Sequence, residues 1–400
     1  MGGLSSVEQG AVERAGAAGM LAQVEAWAGV NSGTDNLSGL ATVAGVLAEA
    51  FAALPGELSL SAADPVSAVD ADGRTREIER GRNLHLVVRP DAPVQLLLTG
   101  HMDTVFGADH PFQTLAWREN GVLGGPGVAD MKGGLAVMLA ALSAVEAAGT
   151  AHIGYEVVIN SDEETGSGGS AALIAAAARG KRAALTYEPA ALPDGTLAGA
   201  RPGSGNFSFT IVGKSAHAGR NPEDGRNAVV AAAALALRLD AIKGPRLSVN
   251  VARVDGGGPN NVVPDGAVLR VNLRPATAED QARAQALIDG AVAMVAATHE
   301  VAIHAHGGFA RPPKPLDPAA EQLFGLVRQA GADLGQTIRW QPSGGVCDGN
   351  NIAACGVPVV DTMGVRGGAI HSMEEYLIVD SLAERAALSV LTILRLGGGA

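Results

Sequence analysis

Three apolar runs constrain the fold of this chain more than any other feature of its sequence. VQLLLTGH (94–101), IGYEVVINS (153–161) and RAALTYEP (182–189) carry apolar side chains on consecutive positions instead of alternating them with polar ones. Strands of this kind are typical of a parallel sheet that helices cover on both faces. Helical patterns at 131–149 and 167–180 separate the runs, and this alternation predicts an α/β architecture.

The pattern changes after Pro193, where apolar and polar residues alternate as in half-exposed antiparallel strands. Strands are predicted here at 204–214, 246–257, 266–275 and 301–309, and helices at 227–242 and 278–299. A proline-rich hinge at 311–315 leads back to the first pattern, in which a strand is predicted near 336–340, followed by a glycine-rich loop. Near the N-terminus, a helix is predicted at 5–30. We therefore predict an α/β domain formed by residues 1–198 and 311–400, interrupted by an inserted α+β domain at 199–310.

The composition argues against several classes of partner. The net charge is −12 and aromatic residues make up only 3% of the chain, which is unfavourable for binding nucleic acid or an anionic membrane surface. Two cysteines, Cys347 and Cys355, are too few for a disulfide framework. The N-terminus has no basic region followed by an apolar one. We therefore expect a cytoplasmic protein that binds neither nucleic acid nor membranes.

The first apolar run ends in residues that can bind or orient a metal ion. His101 and Asp103 lie two positions apart, so their side chains point to the same face of the strand. A carboxylate beside a metal-bound histidine commonly fixes the orientation of its ring. A strand-end histidine with an ordinary hydrogen bond is the alternative interpretation, and this pair alone does not decide between them.

Asp130 lies in the glycine-rich segment GPGVADMKGG (125–134), directly before a long apolar helix. A helix N-cap is the simplest interpretation of such an aspartate. However, open α/β sheets build their binding sites in the loops that follow the strands. Asp130 and His101 both fall in positions of this kind.

The second apolar run is followed by three adjacent acids, Asp162, Glu163 and Glu164. A solvated helix start is the ordinary interpretation, since a helix N-terminus favours anions. Adjacent side chains point in different directions, so one glutamate can bind a metal while its neighbour carries protons. Asp162 receives no specific role beyond a supporting or solvated acid. Glu188 ends the third run, and His371 follows a glycine-rich loop.

Together these positions supply two histidines and several carboxylates after successive strands. Zinc accepts this mixture of nitrogen and oxygen ligands. Two zinc ions about 4 Å apart need a bridging carboxylate and a few terminal ligands. Asp130 could form the bridge, with His101 and Glu188 on one ion and Glu164 and His371 on the other.

The motifs GHMDTV (100–105), GVADMKGG (127–134), SDEETGS (161–167), YEP (187–189) and HS (371–372) follow one another along the chain. In these motifs and their order, nearly the whole chain resembles the di-zinc metallopeptidases that include glutamate carboxypeptidase, aminoacylase, acetylornithine deacetylase and succinyl-diaminopimelate desuccinylase. The resemblance implies a catalytic domain with a central mixed sheet and two Zn²⁺ ions per chain, with Co²⁺ or Mn²⁺ as possible substitutes. It implies five metal ligands: His101, Asp130 as the bridge, Glu164, Glu188 and His371.

The resemblance also implies roles for residues that do not bind metal. Glu163 matches the general base that activates the attacking water and then protonates the leaving amine. Asp103 matches the acid that supports the histidine ligand from behind. The family often has a cis peptide bond after the bridging aspartate, which here is the bond between Asp130 and Met131.

In the family, the inserted domain is a lid that supplies the contacts of a homodimer. His217 in GKSAHAG (213–219) matches the histidine that reaches the partner subunit's active site and stabilises the oxyanion. Asn261, in NNVVPDGA (260–267), matches a polar substrate contact. Arg274 matches the arginine that grips a substrate carboxylate, a role that suits its forked guanidinium.

Within the family, residues 343–376 look most like the glutamate carboxypeptidase branch. We therefore expect a hydrolase that cleaves an amide bond to a C-terminal amino acid with a free carboxylate, using zinc-bound water as nucleophile. No lysine or arginine lies between Glu188 and Arg201, so no second cationic contact for an acidic side chain is visible there. An N-acyl-amino-acid deacylase and a non-catalytic binding protein of the same fold are the alternatives.

Overall fold

The helices of this computed structural model surround a mixed sheet, and the structure describes residues 3–398. Several helices begin at side chains that accept hydrogen bonds from the first turn, such as Ser5, Asn227 and Thr277. In chain order, the α-helices are α1 (Ser6–Gly16), α2 (Met20–Ala28), α3 (Leu37–Phe51), α4 (Gly133–Ala147), α5 (Ala171–Ala178), α6 (Ala228–Asp240), α7 (Ala278–His299), α8 (Pro318–Asp333), α9 (Asp348–Ala354) and α10 (Ser381–Leu396).

The strands form two large sheets and three small ones. In chain order, they are β1 (Glu57–Ser61), β2 (Val66–Val69), β3 (Thr75–Ile78), β4 (Asn83–Val88), β5 (Val94–His101), β6 (Ala116–Arg118), β7 (Val122–Gly124), β8 (Ile153–Asn160), β9 (Ala183–Thr186), β10 (Leu197–Ala198), β11 (Ser204–Val212), β12 (Leu247–Gly256), β13 (Gly266–Pro275), β14 (Ala302–Arg311), β15 (Trp340–Gln341), β16 (Val359–Val360), β17 (Gly367–Gly368) and β18 (Tyr376–Ile378).

The first large sheet has the strand order β1-β4-β8-β5-β9-β16. Strands β8, β5, β9 and β16 run parallel, whereas β4 is antiparallel to both β8 and β1. The prediction of an α/β fold with a mixed central sheet is therefore confirmed. Because β5, β8 and β9 run in the same direction, their carboxyl ends lie at one edge of the sheet.

Helix α4 forms the centre of the larger apolar core, and its apolar side chains are buried on all sides. Helices α1, α2 and α10 pack against it. The segment Val128–Ala147 is long and apolar enough to cross a membrane, but 94% of its most apolar window is buried within the protein. Such burial is typical of a core helix.

The second large sheet has the order β12-β13-β11-β14, with every neighbouring pair antiparallel. Phe207, Phe209 and Ile211 alternate along β11 and pack with α6 and α7 in a separate apolar core. The strands of this sheet span 204–311, close to the predicted boundaries of the inserted domain. Strand β14 extends to Arg311, where the sequence predicts the start of a proline-rich hinge.

Several elements differ from the predictions. The helix expected at 5–30 is interrupted at residues 17–19, because Gly19 leaves the helical conformation and caps α2. The hairpin β2–β3 was not predicted, since its residues are mostly exposed and show little apolar periodicity. The strand expected near 336–340 is limited to Trp340–Gln341, and the glycine-rich loop that follows contains helix α9.

Candidate metal centre and active-site cavity

The strand register brings the predicted metal-binding residues to one edge of the first sheet. His101, the last residue of β5, pairs with Asn160, the last residue of β8. Thr186, the last residue of β9, pairs with Thr99 of β5. The loops that follow β8 and β9 therefore carry Glu163, Glu164 and Glu188 toward His101.

The two carboxylate oxygens of Asp130 face two different histidines. Oδ1 lies 3.1 Å from His101 Nε2, and Oδ2 lies 3.3 Å from His371 Nε2. Glu188 Oε2 is 3.7 Å from His101 Nε2, and Glu164 Oε2 is 3.1 Å from His371 Nε2. The peptide bond between Asp130 and Met131 is cis, as the family resemblance implies. The five side chains thus form two groups that share Asp130.

These separations fit divalent metal ions. Two ligand atoms bound tetrahedrally at about 2.1 Å from one zinc ion are roughly 3.4 Å apart. One group of ligand atoms, from His101, Asp130 and Glu164, lies within 4.8 Å of one another. A second group of ligand atoms, from His101, Glu163 and Glu188, also lies within 4.8 Å of one another. This group includes Glu163, the candidate general base, and not Asp130. Imidazole and carboxylate ligands in this arrangement can hold a zinc-like ion.

The ionisation of the cluster also indicates a cation site. Burial raises the pKa of Glu163 and Glu188 to about 8 and that of Glu164 to about 7, and neighbouring carboxylates add to each increase. Hydrogen bonds to Asp130 and Glu164 raise the pKa of His371 to about 11. Buried carboxyls at such short range retain protons unless positive charge compensates them. A divalent cation bound at the cluster would supply that charge.

Asp103 lies behind His101 and is fully buried. Its Oδ1 is 3.3 Å and its carbonyl oxygen 3.1 Å from His101 Nδ1. Both atoms are acceptors, so Nδ1 carries the proton and Nε2 is left with a free lone pair. The Asp103 carboxylate also accepts hydrogen bonds from Thr34 Oγ1 and from the backbone N–H groups of Glu163 and Glu164. It therefore connects the two loops that carry candidate ligands.

Glu375 is a buried residue that the sequence interpretation missed. Its carboxylate accepts hydrogen bonds from the backbone N–H groups of Gly127, Ala129 and Asp130, at 3.0–3.1 Å. Burial raises the pKa of Glu375 to about 7, against the lowering effect of these three donors. Because Glu375 lies four residues after His371, it joins the segments that carry two candidate ligands. The sequence signal for Glu375 was its position shortly after the HS motif (371–372). Glu374 lies beside it, so the sequence did not show which of the two glutamates is buried.

Arg311 was also missed, because the sequence interpretation assigned it to a hinge. Its Nη2 donates a hydrogen bond to Glu163 Oε1 at 2.7 Å, and the side chain is buried. No local signal in the sequence links it to Glu163, which lies 148 positions earlier.

A cavity of about 490 Å³ opens beside the metal-ligand cluster. Pro189, Ala190, Ala191 and Ile370 provide apolar surface. The cavity is also lined by Asp130, Glu163, Glu164, Glu188, Pro193, Arg201, Ser343, Gly345, Val346, Cys347, Thr362, Gly367, Gly368, Ala369, His371 and Tyr376. The ligand cluster thus lies next to a space of the size that a small molecule needs.

Arg201 is a cation of this cavity that the sequence interpretation did not assign. Its Nε and Nη2 donate to the two oxygens of buried Asp361 at 2.7 and 3.1 Å. Lys314 Nζ lies 2.8 Å from Asp361 Oδ2. Two cations share one carboxylate, so this trio carries a surplus positive charge beside the cavity. Asp361 follows β16, and this strand-end position was the signal that could have identified it.

The three residues predicted to act from the inserted domain do not line this cavity within one chain. His217 is exposed, and its Nδ1 accepts a hydrogen bond from Gly219 N–H. Asn261 is also exposed, and its backbone carbonyl oxygen accepts a hydrogen bond from Ala218 N–H. Arg274 Nη1 donates to the Gly344 carbonyl oxygen at 2.7 Å. The roles of all three residues stay predictions.

Comparison with known proteins gives a consistent assignment. The model of peptidase family M20/M25/M40 matches residues 97–395. Carboxypeptidase G2 of Pseudomonas sp. (strain RS-16) is 32% identical over 322 residues, covering 76% of this chain and 74% of its own. Succinyl-diaminopimelate desuccinylase of Pseudomonas syringae pv. syringae (strain B728a) is 29% identical over 330 residues, covering 76% and 83%.

A solved structure shares the fold. The M20 family metallo-carboxypeptidase Sso-CP2 from Sulfolobus solfataricus superposes with a TM-score of 0.70 at 15% identity, covering 95% of this chain and 99% of that one. The matched family model spans both the metal-ligand cluster and the second sheet. We therefore identify this protein as a hydrolytic enzyme of peptidase family M20/M25/M40.

Proposed function

We propose that this enzyme is a carboxypeptidase-type amidohydrolase that holds two zinc ions and releases a C-terminal amino acid from an amide. The observation that carries the two-ion proposal is the placement of Asp130 between His101 and His371, one oxygen toward each. A single carboxylate in this position suits a bridge between two ions. Similarity to carboxypeptidase G2 supports the choice of reaction.

The side chains of the site have different roles in hydrolysis. Bound at the cluster, zinc supplies Lewis-acid polarisation of the scissile carbonyl and lowers the pKa of the attacking water. Glu163 accepts the proton of that water and delivers it to the leaving nitrogen. Asp103 holds the ring of His101 in the orientation that presents Nε2 to the cluster.

A positive charge on one side of the cavity supports a substrate with a free carboxylate. The trio of Arg201, Lys314 and Asp361 has a surplus positive charge, which attracts an anionic group at short range. Arg274 is held by the Gly344 carbonyl oxygen in a loop that borders the cavity. If the second sheet moves as a lid, the guanidinium of Arg274 would reach the carboxylate of the substrate as well.

A substrate panel tests the proposal. We expect zinc-loaded enzyme to hydrolyse acyl- and peptidyl-amino acids with a free α-carboxylate, and to lose this activity when the carboxylate is amidated. Chelation should abolish turnover and added zinc should restore it. Equal rates on the amidated substrates would contradict the carboxypeptidase assignment.

An N-acyl-amino-acid deacylase is the second candidate, because succinyl-diaminopimelate desuccinylase is 29% identical to this chain. The same panel distinguishes the two functions when it includes N-acetyl and N-succinyl amino acids. Higher kcat/KM on these short acyl groups than on aryl or peptidyl amides would favour the deacylase.

A further inference from the structure

Arg311 connects the second large sheet to the candidate general base. It is the last residue of β14, an edge strand of that sheet, and its side chain is only 4% exposed. Its Nη2 donates to Glu163 Oε1 at 2.7 Å, to the Glu163 carbonyl oxygen at 3.0 Å and to Ser167 Oγ at 3.0 Å. One guanidinium therefore contacts both the backbone carbonyl oxygen and the side-chain carboxylate of Glu163.

The other side of the guanidinium is fixed as well. Nη1 donates to Asp348 Oδ1 at 2.9 Å. Asp348 in turn accepts hydrogen bonds from Ser167 Oγ at 2.5 Å and from Asn160 Nδ2 at 2.8 Å. All of these groups are buried. Arg311 thus has a single orientation set by contacts on both sides.

In its present position, Glu163 already lies close to two candidate metal ligands. One of its carboxylate oxygens lies within 4.8 Å of ligand atoms of His101 and Glu188. A carboxylate this close to two ligands can itself bind the ion they hold. Within residues 3–398, Arg311 is the only side chain that donates a hydrogen bond to the Glu163 carboxylate. Without Arg311, the Glu163 carboxylate would lose this hydrogen-bond donor and could turn toward His101 and Glu188.

Resting on the proposed function, we propose that Arg311 is a positioning residue that keeps Glu163 out of the metal coordination sphere and so available for proton transfer. Nη2 holds Glu163 Oε1, and Asp348 fixes the guanidinium through Nη1. Because Arg311 belongs to β14, the position of the second sheet is coupled to the position of the base.

The test compares Arg311→Ala with wild type in two measurements. For hydrolysis, we expect kcat to fall about 100-fold, the size of a general-base contribution, while KM stays within about threefold. For Co²⁺-loaded enzyme, we expect a changed visible absorption spectrum, because Glu163 joins the coordination sphere. Metal content should equal that of wild type.

Two variants isolate the cause. In Glu163→Ala/Arg311→Ala, the Co²⁺ spectrum should return to that of Glu163→Ala alone, since the intruding carboxylate is absent. Asn351→Ala removes a contact of Arg311 Nη1 at 3.4 Å that does not involve Glu163, so its kcat and spectrum should match wild type. Added guanidinium should partly restore the kcat of Arg311→Ala, which a purely structural defect would not allow.

Several outcomes would overturn the proposal. An unchanged Co²⁺ spectrum with kcat within about threefold of wild type would show that Arg311 does not position Glu163. A raised KM with unchanged kcat would make Arg311 a substrate contact instead. If Arg311→Ala fails to fold, Arg311→Lys keeps the charge but loses the fork, and an unchanged kcat there contradicts the proposal. If wild type hydrolyses no substrate of the panel, the proposed function fails, while the spectra still test Arg311.

Discussion

Three adjacent acids, Asp162, Glu163 and Glu164, have different surroundings in the folded protein. Glu163 contacts Arg311, and Glu164 contacts His371. Asp162 is fully buried, and its carboxylate accepts hydrogen bonds from Gly169 N–H and Ser170 Oγ, both at 2.6 Å. A solvated acid, the description left open from the sequence, is therefore wrong for Asp162. Through these hydrogen bonds, Asp162 stabilises the loop that carries Glu163 and Glu164.

A second pair of adjacent acids provides a test of metal-site support. Glu375 accepts three backbone hydrogen bonds around Asp130, whereas Glu374 has a 78% exposed side chain with an ion pair to Arg118. In Glu375→Gln, the amide accepts with one oxygen and adds unwanted donors, so Asp130 is held less firmly. We expect a loss of zinc affinity of about 10- to 100-fold, measured by competition with a chelator. Glu374→Gln is the matched control, and an equal loss there would contradict this role for Glu375.

At the scale of elements, the trio of Arg201, Asp361 and Lys314 joins segments from different parts of the chain. Asp361 follows β16, Arg201 lies between β10 and β11, and Lys314 follows β14. Backbone N–H groups of Arg201 and Lys314 also donate to each other's carbonyl oxygens. Burial acts to raise the pKa of Asp361, but Arg201 and Lys314 hold it below its usual value.

Asp361→Asn should therefore lower the free energy of unfolding by about 3–5 kcal/mol at pH 7, because two buried cations lose their counter-ion. A depressed folded pKa means that this stabilisation is present above the unfolded pKa of about 3.9 and is lost as pH falls through the folded value. The difference from wild type should stay constant between roughly pH 8 and 5 and shrink below about pH 4. Urea denaturation of the metal-free protein measures it.

The surface pair Asp240–Lys243 is the control for this prediction. Its side chains are 48% and 59% exposed, so Asp240→Asn should change stability by at most about 1 kcal/mol. An Asp361→Asn variant as stable as the control at pH 7 would show that the trio does not hold these segments together.

Helix α6, which packs on the second large sheet, exposes two large apolar side chains. Val230 and Leu237 of α6, seven residues apart and so on one helix face, are 51% and 74% exposed. The homodimer that the family resemblance implies stays a prediction, and these two side chains are candidates for its contact surface. The exposed position of His217, outside the cavity of its own chain, is compatible with action on a partner's site.

Complementation tests this arrangement. Glu163→Ala and His217→Ala should each be nearly inactive as homodimers. In a symmetric dimer whose sites each combine both chains, random co-expression of the two variants should restore roughly a quarter of wild-type activity, since half the dimers regain one of two sites. Mixtures that stay as inactive as their components would place the action of His217 within its own chain or outside catalysis.

The sequence could indicate which candidate metal ligands lie close together because its signals are local. Each ligand lies at a strand end or in the loop that follows, and parallel strands bring such positions together. Contacts between segments that are distant along the chain have no comparable local signal in the sequence. Arg311 and Glu163 are 148 residues apart, and their contact depends on how β14 meets the first sheet. Glu374 and Glu375 are adjacent residues of the same type, and only the fold distinguishes them by burial and by hydrogen-bond partners.

In the proposed mechanism, the adjacent residues Glu163 and Glu164 have different roles. Metal analysis combined with kinetics of Glu163→Ala and Glu164→Ala separates these roles. Glu163→Ala should keep the zinc content of wild type, which we expect to be two ions per chain, and lose turnover by at least about 100-fold. Glu164→Ala should lose one ion, because the contact with His371 defines one of the two groups. Loss of zinc from Glu163→Ala with full retention in Glu164→Ala would contradict the account.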